Sequence, residues 1–531
     1  MTTKMKQEKG VTIVALILMI ILMLILVKAS VTILAGSDGV VSESENAMSV
    51  AEENSLKEKI REDIKTEEIK AKMNGSLVTI NIIESVINKP EYPTLTYDSY
   101  SEMIKLYKEN GEIVDFIDLA FIKENNVLFE SSSTDSTNGV AKLRDKYYSK
   151  LQTAINIASS NTKEKIVLLK DINESISIVA GKNIELDLGG KSIENNSNVI
   201  VNEGTIDIKN GDITSESGKA IYNKGTVTID GCNLLSRTVN TVVNVSGSSL
   251  TVNGESTISS LSTANATISN QSNSTVIINN GTISAVTKEA VNNLAGAKLY
   301  VNGGTITSDS YRGVTNKGEV EVSGGIVKST SNQGINNASG ATIKITGGTI
   351  KSSSGNSINN NGTLNIQGGT IGNTESTSST IYNNTSGAIN ITGGEIITNN
   401  SIAVYSKNII EISGGKIISH SSNAINNYGG TVTISGDAEI TDDGNSACIY
   451  NQQEGTILIT GGTITEEIRH AIYLKNGTLR IEDGTITNNS ESCGTIGKES
   501  GTLEIEGGTI TNLAGGETIQ EWYHLEHKNF K

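Results

Sequence analysis

Residues 335–350 read INNASGATIKITGGTI, and this stretch decides the fold. Ile335-Asn336-Asn337 places an apolar residue two positions before an asparagine. Thr342 to Ile345 alternates polar and apolar side chains, the period of a strand with one buried face. Gly347-Gly348 interrupts the run, and Thr349-Ile350 opens another. Glycine takes the left-handed backbone of a tight corner at no steric cost.

The phrase recurs through the second half of the chain. Its asparagine column runs Asn202, Asn223, Asn244, Asn270, Asn293, Asn316, Asn337, Asn360, Asn383, then Ser406, then Asn427 and Asn451. The mean spacing is about 23 residues, a repeat-protein period. Alternating second segments include Val320-Glu321-Val322, Leu364-Asn365-Ile366 and Ile457-Leu458-Ile459. Third segments centre on Ile350, Ile371, Ile396, Ile417, Ile464, Ile486 and Ile510. The expectation is a mainly β chain, with a parallel β-helix solenoid of about fifteen coils over 165–515. Stacking places like aliphatics in interior columns and lets asparagine amides bond from coil to coil.

Composition agrees with this reading. The 531 residues hold 54 glycines, 2 prolines and only 4% aromatics, so collagen, with its abundant proline, is excluded. The abundance of Ile, Val and Thr excludes a charge-rich disordered chain. Both prolines, Pro90 and Pro93, precede the repeats, where they remove no ladder hydrogen bond. The net charge of −16 argues against nucleic acid as a partner. Cys232, Cys448 and Cys493 are too few and scattered for a disulfide framework or a zinc site. Cys448 and Cys493 fall two coils apart, too far for a bridge.

Ahead of the repeats, the stretch 147–159 puts Leu151, Ala154, Ile155 and Ala158 on one helical face. Lys165-Ile166-Val167-Leu168-Leu169 and Asn183-Ile184-Glu185-Leu186-Asp187-Leu188-Gly189-Gly190 follow. This order resembles the N-terminal cap of the pectate-lyase-like right-handed β-helix superfamily. The resemblance implies a capping helix within 141–164 and a right-handed solenoid behind it. That fold hosts lyases, hydrolases, adhesins and inert stalks, so it implies no single activity.

The N-terminus carries Lys4, Lys6 and Lys9 before an apolar run from Val11 to Val27, VTIVALILMIILMLILV. Continued through Leu34, the run is long enough to span a bilayer, with the N-terminus cytoplasmic and the bulk outside. Lys9-Gly10-Val11-Thr12-Ile13-Val14-Ala15-Leu16 resembles the prepilin-type leader of type IV pilins. The resemblance implies a membrane prepilin peptidase as partner, cleaving after Gly10 and methylating Val11. Ala15 stands where pilin subunits usually carry the glutamate that pairs with a neighbour's amino terminus. A plain single-pass signal anchor is the other reading of 1–36.

Residues 37–72 read as a charged helical stalk with Leu56, Ile60, Ile64 and Ile69 on one face. Residues 73–140 read as a small α/β module with a strand at 77–82, a short helix at 100–108 and a linker at 131–139. Residues 516–531, with Trp522 and Tyr523, read as a C-terminal cap.

No P-loop, HExxH pair, dinucleotide fingerprint or nucleophile elbow occurs, so no catalytic residue, metal ligand or cofactor is assigned. Two surface features stand out. Asp442-Asp443 and Glu466-Glu467 fall one coil apart when Ile440 is aligned with Ile464. Paired carboxylates can hydrolyse a glycosidic bond or hold a divalent cation. They can equally form a solvated corner balanced by Arg469. The position before the asparagine column is outward by strand alternation and holds Tyr382, Tyr405, Asn426, Tyr450 and Tyr473 in five successive coils, and Tyr222 earlier. Such tyrosines stack on sugars or simply suit an exposed strand. The whole reads as a membrane-anchored bacterial cell-surface rod for adhesion, binding or structure, with an extracellular glycan or surface ligand as partner. A carbohydrate-active β-helix enzyme and a minor pilin-like assembly component are the alternatives.

Overall fold

The computed structural model describes residues 139–160, 162–373 and 375–521, together with shorter pieces between 55 and 133. The chain divides into two compact units, Met1–Glu130 and Ser131–Lys531. In the first, positions 58–60, 62–67 and 70 are helical, and Ile60 and Ile64 on the expected apolar face are buried. Strands Leu95–Asp98, Met103–Tyr107 and Ile113–Asp118 form an antiparallel sheet with the second in the middle. The helix expected at 100–108 is therefore replaced by a strand. A helix that short is marginal alone, whereas a central strand has both backbone edges hydrogen-bonded. The leader and anchor, including Gly10 and Val11, and the strand read at 77–82 lie outside the described residues. Among the described residues no helix is long and apolar enough to cross a membrane.

The second unit is a parallel β-helix. Its first strands stack into a sheet of 16, from Ile176–Ile178 to Ile519–Glu521. At about 4.8 Å per coil this is a rod of about 70 Å. One coil consists of Ile335–Asn337, Thr342–Ile345 and Thr349–Ser352. Ile335 lies between Val314 and Ile358, Ile343 between Val320 and Leu364, and Ile350 between Val327 and Ile371. All nine side chains are fully buried, so aliphatic columns fill the core without aromatics. The rod runs slightly further than the spacing predicts. Its last strand, Ile519–Glu521, lies inside the segment read as a cap, whose residues 522–531 are outside the described part.

The asparagine column forms as expected. Asn316 Nδ2 donates to Asn337 Oδ1 at 2.9 Å and to the Thr342 carbonyl at 3.0 Å, while its Oδ1 accepts the Gly318 N–H at 3.1 Å. The amide chain is unbroken from Asn202 to Ser406 and resumes between Asn427 and Asn451. It stops where Leu474 takes the next place in register. The Gly-Gly corner needs both glycines. A Cβ on Gly347 would collide with the Ser323 carbonyl of the coil before, and Gly348 sits at φ +76°.

The N-terminal end is closed by more than a helix. The helix Leu151–Ile157 buries Leu151, Ala154 and Ile155. It follows an antiparallel hairpin of Ala141–Leu143 and Lys146–Tyr148, so Tyr147 and Tyr148 are strand rather than helix. Ser132–Ser133, read as linker, adds to that hairpin. Both additions cover edges that a first coil would leave open. Ala141–Leu143 pairs with Glu164–Leu168. The Gln152 amide donates to the Ser177 carbonyl at 3.0 Å and accepts its N–H at 2.7 Å, in place of a neighbouring strand. The Lys182 ammonium donates to the Asn156 carbonyl at 2.8 Å, at the negative end of the helix dipole.

Candidate functional site

The tyrosine row lies on the 16-stranded sheet. Tyr382 and Tyr405 pair directly in register, as do Tyr450 and Tyr473. Their alternation with buried Ile381, Val404, Ile449 and Ile472 turns all four rings outward, where each is half-exposed. The rings do not lie flat on the sheet. Tyr382 and Tyr405 stack with centroids 5.0 Å apart and planes at 6°, and Tyr450 and Tyr473 stack at 5.5 Å and 24°. The rings thus face one another along the rod and present edges and hydroxyls to solvent. Sugar stacking on a flat aromatic face is available only where a stack ends.

Asn426 interrupts the row. It is buried and accepts from Gln452 Nε2 at 2.8 Å. Tyr428, two residues on, carries the upper stack instead, with its ring 5.9 Å from that of Tyr405. The sequence reading missed it because it belongs to the adjacent outward column and reaches Tyr405 diagonally. Lys407 lies over all three rings, 5.3 Å from the Tyr382 centroid and 5.9 Å from those of Tyr405 and Tyr428. A hydrogen bond with Tyr382 raises the Lys407 ammonium above its ordinary value, and burial raises the Tyr405 hydroxyl.

The lower stack borders a cavity of about 260 Å³ lined by Asn423, Ser446, Ala447, Tyr450, Arg469, His470 and Tyr473. The His470 ring stacks on Tyr473 at 5.5 Å, and its Nδ1 lies 2.7 Å from the Gly494 carbonyl. Burial lowers its basicity. Tyr473 donates its hydroxyl proton to Glu499 Oε2 at 2.7 Å; burial, then that carboxylate, raise the phenol well above its ordinary range.

The acidic pairs are split between inside and outside. Asp442 and Glu466 are opposite each other in adjacent strands and are 1% and 0% exposed. The solvated corner expected for all four therefore holds only for Asp443 and Glu467, which are exposed. Asp443 Oδ1 meets His420 Nδ1 at 2.8 Å, and Glu467 Oε2 accepts from Asn489 at 3.2 Å. Burial pushes Asp442 up to about 7 and Glu466 up to about 8, with Asp442 next among the causes at Glu466. Inside the rod neither carboxyl can touch a polysaccharide, so the pair offers no glycosidase geometry.

Among the described residues no group of three or more His, Cys, Asp and Glu side chains could hold a metal ion. Cys232, Cys448 and Cys493 are free thiols buried in the rod, and burial pushes Cys232 up to about 11. The processing residues Gly10 and Val11 lie outside the described part. Comparison with protein-family models, curated proteins and solved structures finds no match to this chain.

Proposed function

We propose that this chain is a bacterial cell-surface rod whose tyrosine row binds an extracellular glycan. In this reading the rod is a right-handed, pectate-lyase-like β-helix. The prepilin-like segment anchors it in the membrane and keeps the coils outside the cell. The apolar run from Val11 to Val27 supports the anchor, and the closed N-terminal end supports a rod that projects from one side.

One observation carries the binding reading. Tyr382, Tyr405 and Tyr428 form one stack, and Tyr450 and Tyr473 form a second further along the same sheet, past Asn426. Stacking holds the rings in place, so a ligand orders few side chains on binding. Within each stack the rings recur every 5.0–5.9 Å along the rod, near the coil spacing, and the hydroxyls not bound to Lys407 or Glu499 offer donors and acceptors to a chain of sugar hydroxyls. Ring edges supply apolar contact between them.

The test is a panel of bacterial and host glycans probed with the wild-type rod and a Tyr382→Ser, Tyr405→Ser, Tyr450→Ser, Tyr473→Ser variant. The wild type should retain at least one glycan class, and the variant should bind it at least about tenfold more weakly. Equal binding by the two proteins, or no binding by the wild type, overturns the reading.

A further inference from the structure

We infer that the cavity beside Tyr450 and Tyr473 is a subsite for one negatively charged sugar unit, bearing a carboxylate or a sulfate ester, with Arg469 as its counter-ion. This rests on the glycan reading and adds the charge of the ligand.

The cavity differs from the rest of the row in three respects. It is an open hollow: its volume of about 260 Å³ lies just below the ~300–1,000 Å³ of pockets for drug-sized ligands and leaves room for a single small ring. Its aromatic wall is held by neighbours on both sides, since Tyr473 stacks on Tyr450 and on His470. It also carries an uncommitted cation. Arg469 is exposed, and its Nε donates to Asn445 Oδ1 at 2.8 Å, which aims the head group. No carboxylate lies within ion-pair distance of Arg469 among the described residues, in contrast to most other arginines of the rod. A guanidinium matches a carboxylate or sulfate with two parallel donors.

The nearby acids do not compete for it. Glu499 accepts from Tyr473, Glu467 from Asn489, and Glu466 points into the rod. Ser446 also lines the cavity and suits a neutral hydroxyl of a sugar, while the Asn423 amide beside it donates to the Ala447 carbonyl at 2.6 Å. The upper stack has its cation, Lys407, lying over its own three rings. Arg469→Gln therefore reports on the lower cavity separately from Lys407.

Calorimetric titration of the full chain with glucuronate, glucose 6-sulfate and glucose tests this, using wild type, Arg469→Gln and Tyr450→Ser. Glucuronate or the sulfate should bind at least about tenfold more tightly than glucose. Which of the two is tighter assigns the anion. Arg469→Gln, an exposed substitution, should abolish the preference, and added salt should weaken wild-type binding. Tyr450→Ser should weaken all three sugars. Equal affinity for charged and neutral sugars, or a preference unchanged in Arg469→Gln, overturns the subsite. If the preference is absent while the four-tyrosine variant still loses glycan, the subsite falls and the tyrosine row stands. If no glycan or sugar binds, both fall.

Discussion

Asp442 and Glu466 stand opposite each other in adjacent strands inside the rod, each with one carboxyl oxygen lacking a partner. They occupy a column filled in most other coils by neutral side chains that both donate and accept, with Ala285 an exception. Ser308 Oγ donates to the Lys288 carbonyl at 2.7 Å and accepts the Tyr311 N–H at 3.1 Å. Asn373 donates to the Gly355 carbonyl and accepts the Ser376 N–H, both at 3.1 Å. Asp442 Oδ1 accepts from Gly444 at 2.9 Å, and Glu466 Oε1 accepts from Ile468 at 3.1 Å and Arg469 at 3.0 Å. Only the donor half is missing, and a proton on the unpartnered oxygen restores it.

Stability should therefore depend on pH. Both carboxyls sit above their ordinary values because burial penalises the charged form. A carboxyl raised in the folded state contributes stability that is complete below its ordinary value and lost as pH rises through its folded value. The loss should begin near the ordinary carboxyl range of about 4 and be complete once pH passes the folded values of about 7 and about 8, in two steps shared by the pair. Asp442→Asn with Glu466→Gln should match the wild type at about pH 3 and melt higher at about pH 9, each displaced unit being worth about 1.4 kcal/mol. Melting curves of both proteins across this range decide it. An equal response to pH would refute the pairing.

The asparagine ladder should be a main determinant of rod stability. Asn316→Ala removes its donors to Asn337 and Thr342 and leaves Asn293 without its acceptor at 2.9 Å. The expected cost is about 2–4 kcal/mol, against under ~0.5 for the exposed Lys317→Ala. Asn316→Ser should cost less, because Ser406 fills the same column and its Oγ accepts from Asn383 at 3.0 Å. Urea unfolding followed by circular dichroism measures all three. Comparable midpoints for the alanine variants of Asn316 and Lys317 would contradict the role.

The rod was legible because its information is local and repeated. An alternating strand, a glycine corner and an asparagine return in every coil, so Asn202 to Asn451 fall in register as their spacing predicts. The inward turn of Asp442 and Glu466 was available too. Counting on from Ile440 and Ile464, the second residue faces inward, where Ser329, Ser352 and Ser419 stand in other coils. It was obscured because carboxylates are expected in water, an expectation that fails for a protonated acid. Tyr428 was hidden by its neighbouring column. Strand 103–107 was illegible for another reason, since its partners come from separate segments and sequence spacing does not report such pairing.

The N-terminal resemblance predicts processing at one bond. The mature protein from bacterial membranes should begin at Val11, with a methylated amino terminus. Mass spectrometry of the N-terminal peptide reads this directly. A chain that keeps Lys9 and Gly10 would remove the prepilin reading and leave the plain signal anchor.

The most direct test of glycan binding is hydroxyl-radical footprinting of the full chain, with and without a saturating oligosaccharide that the wild type retains. Protection should concentrate on Tyr382, Tyr405, Tyr428, Tyr450 and Tyr473, with Tyr300, in the strand Lys298–Val301 outside the 16-stranded sheet, and Tyr311 unchanged as internal controls on the same rod. Protection confined to the controls, or an unchanged pattern at the five tyrosines under saturation, would contradict the account.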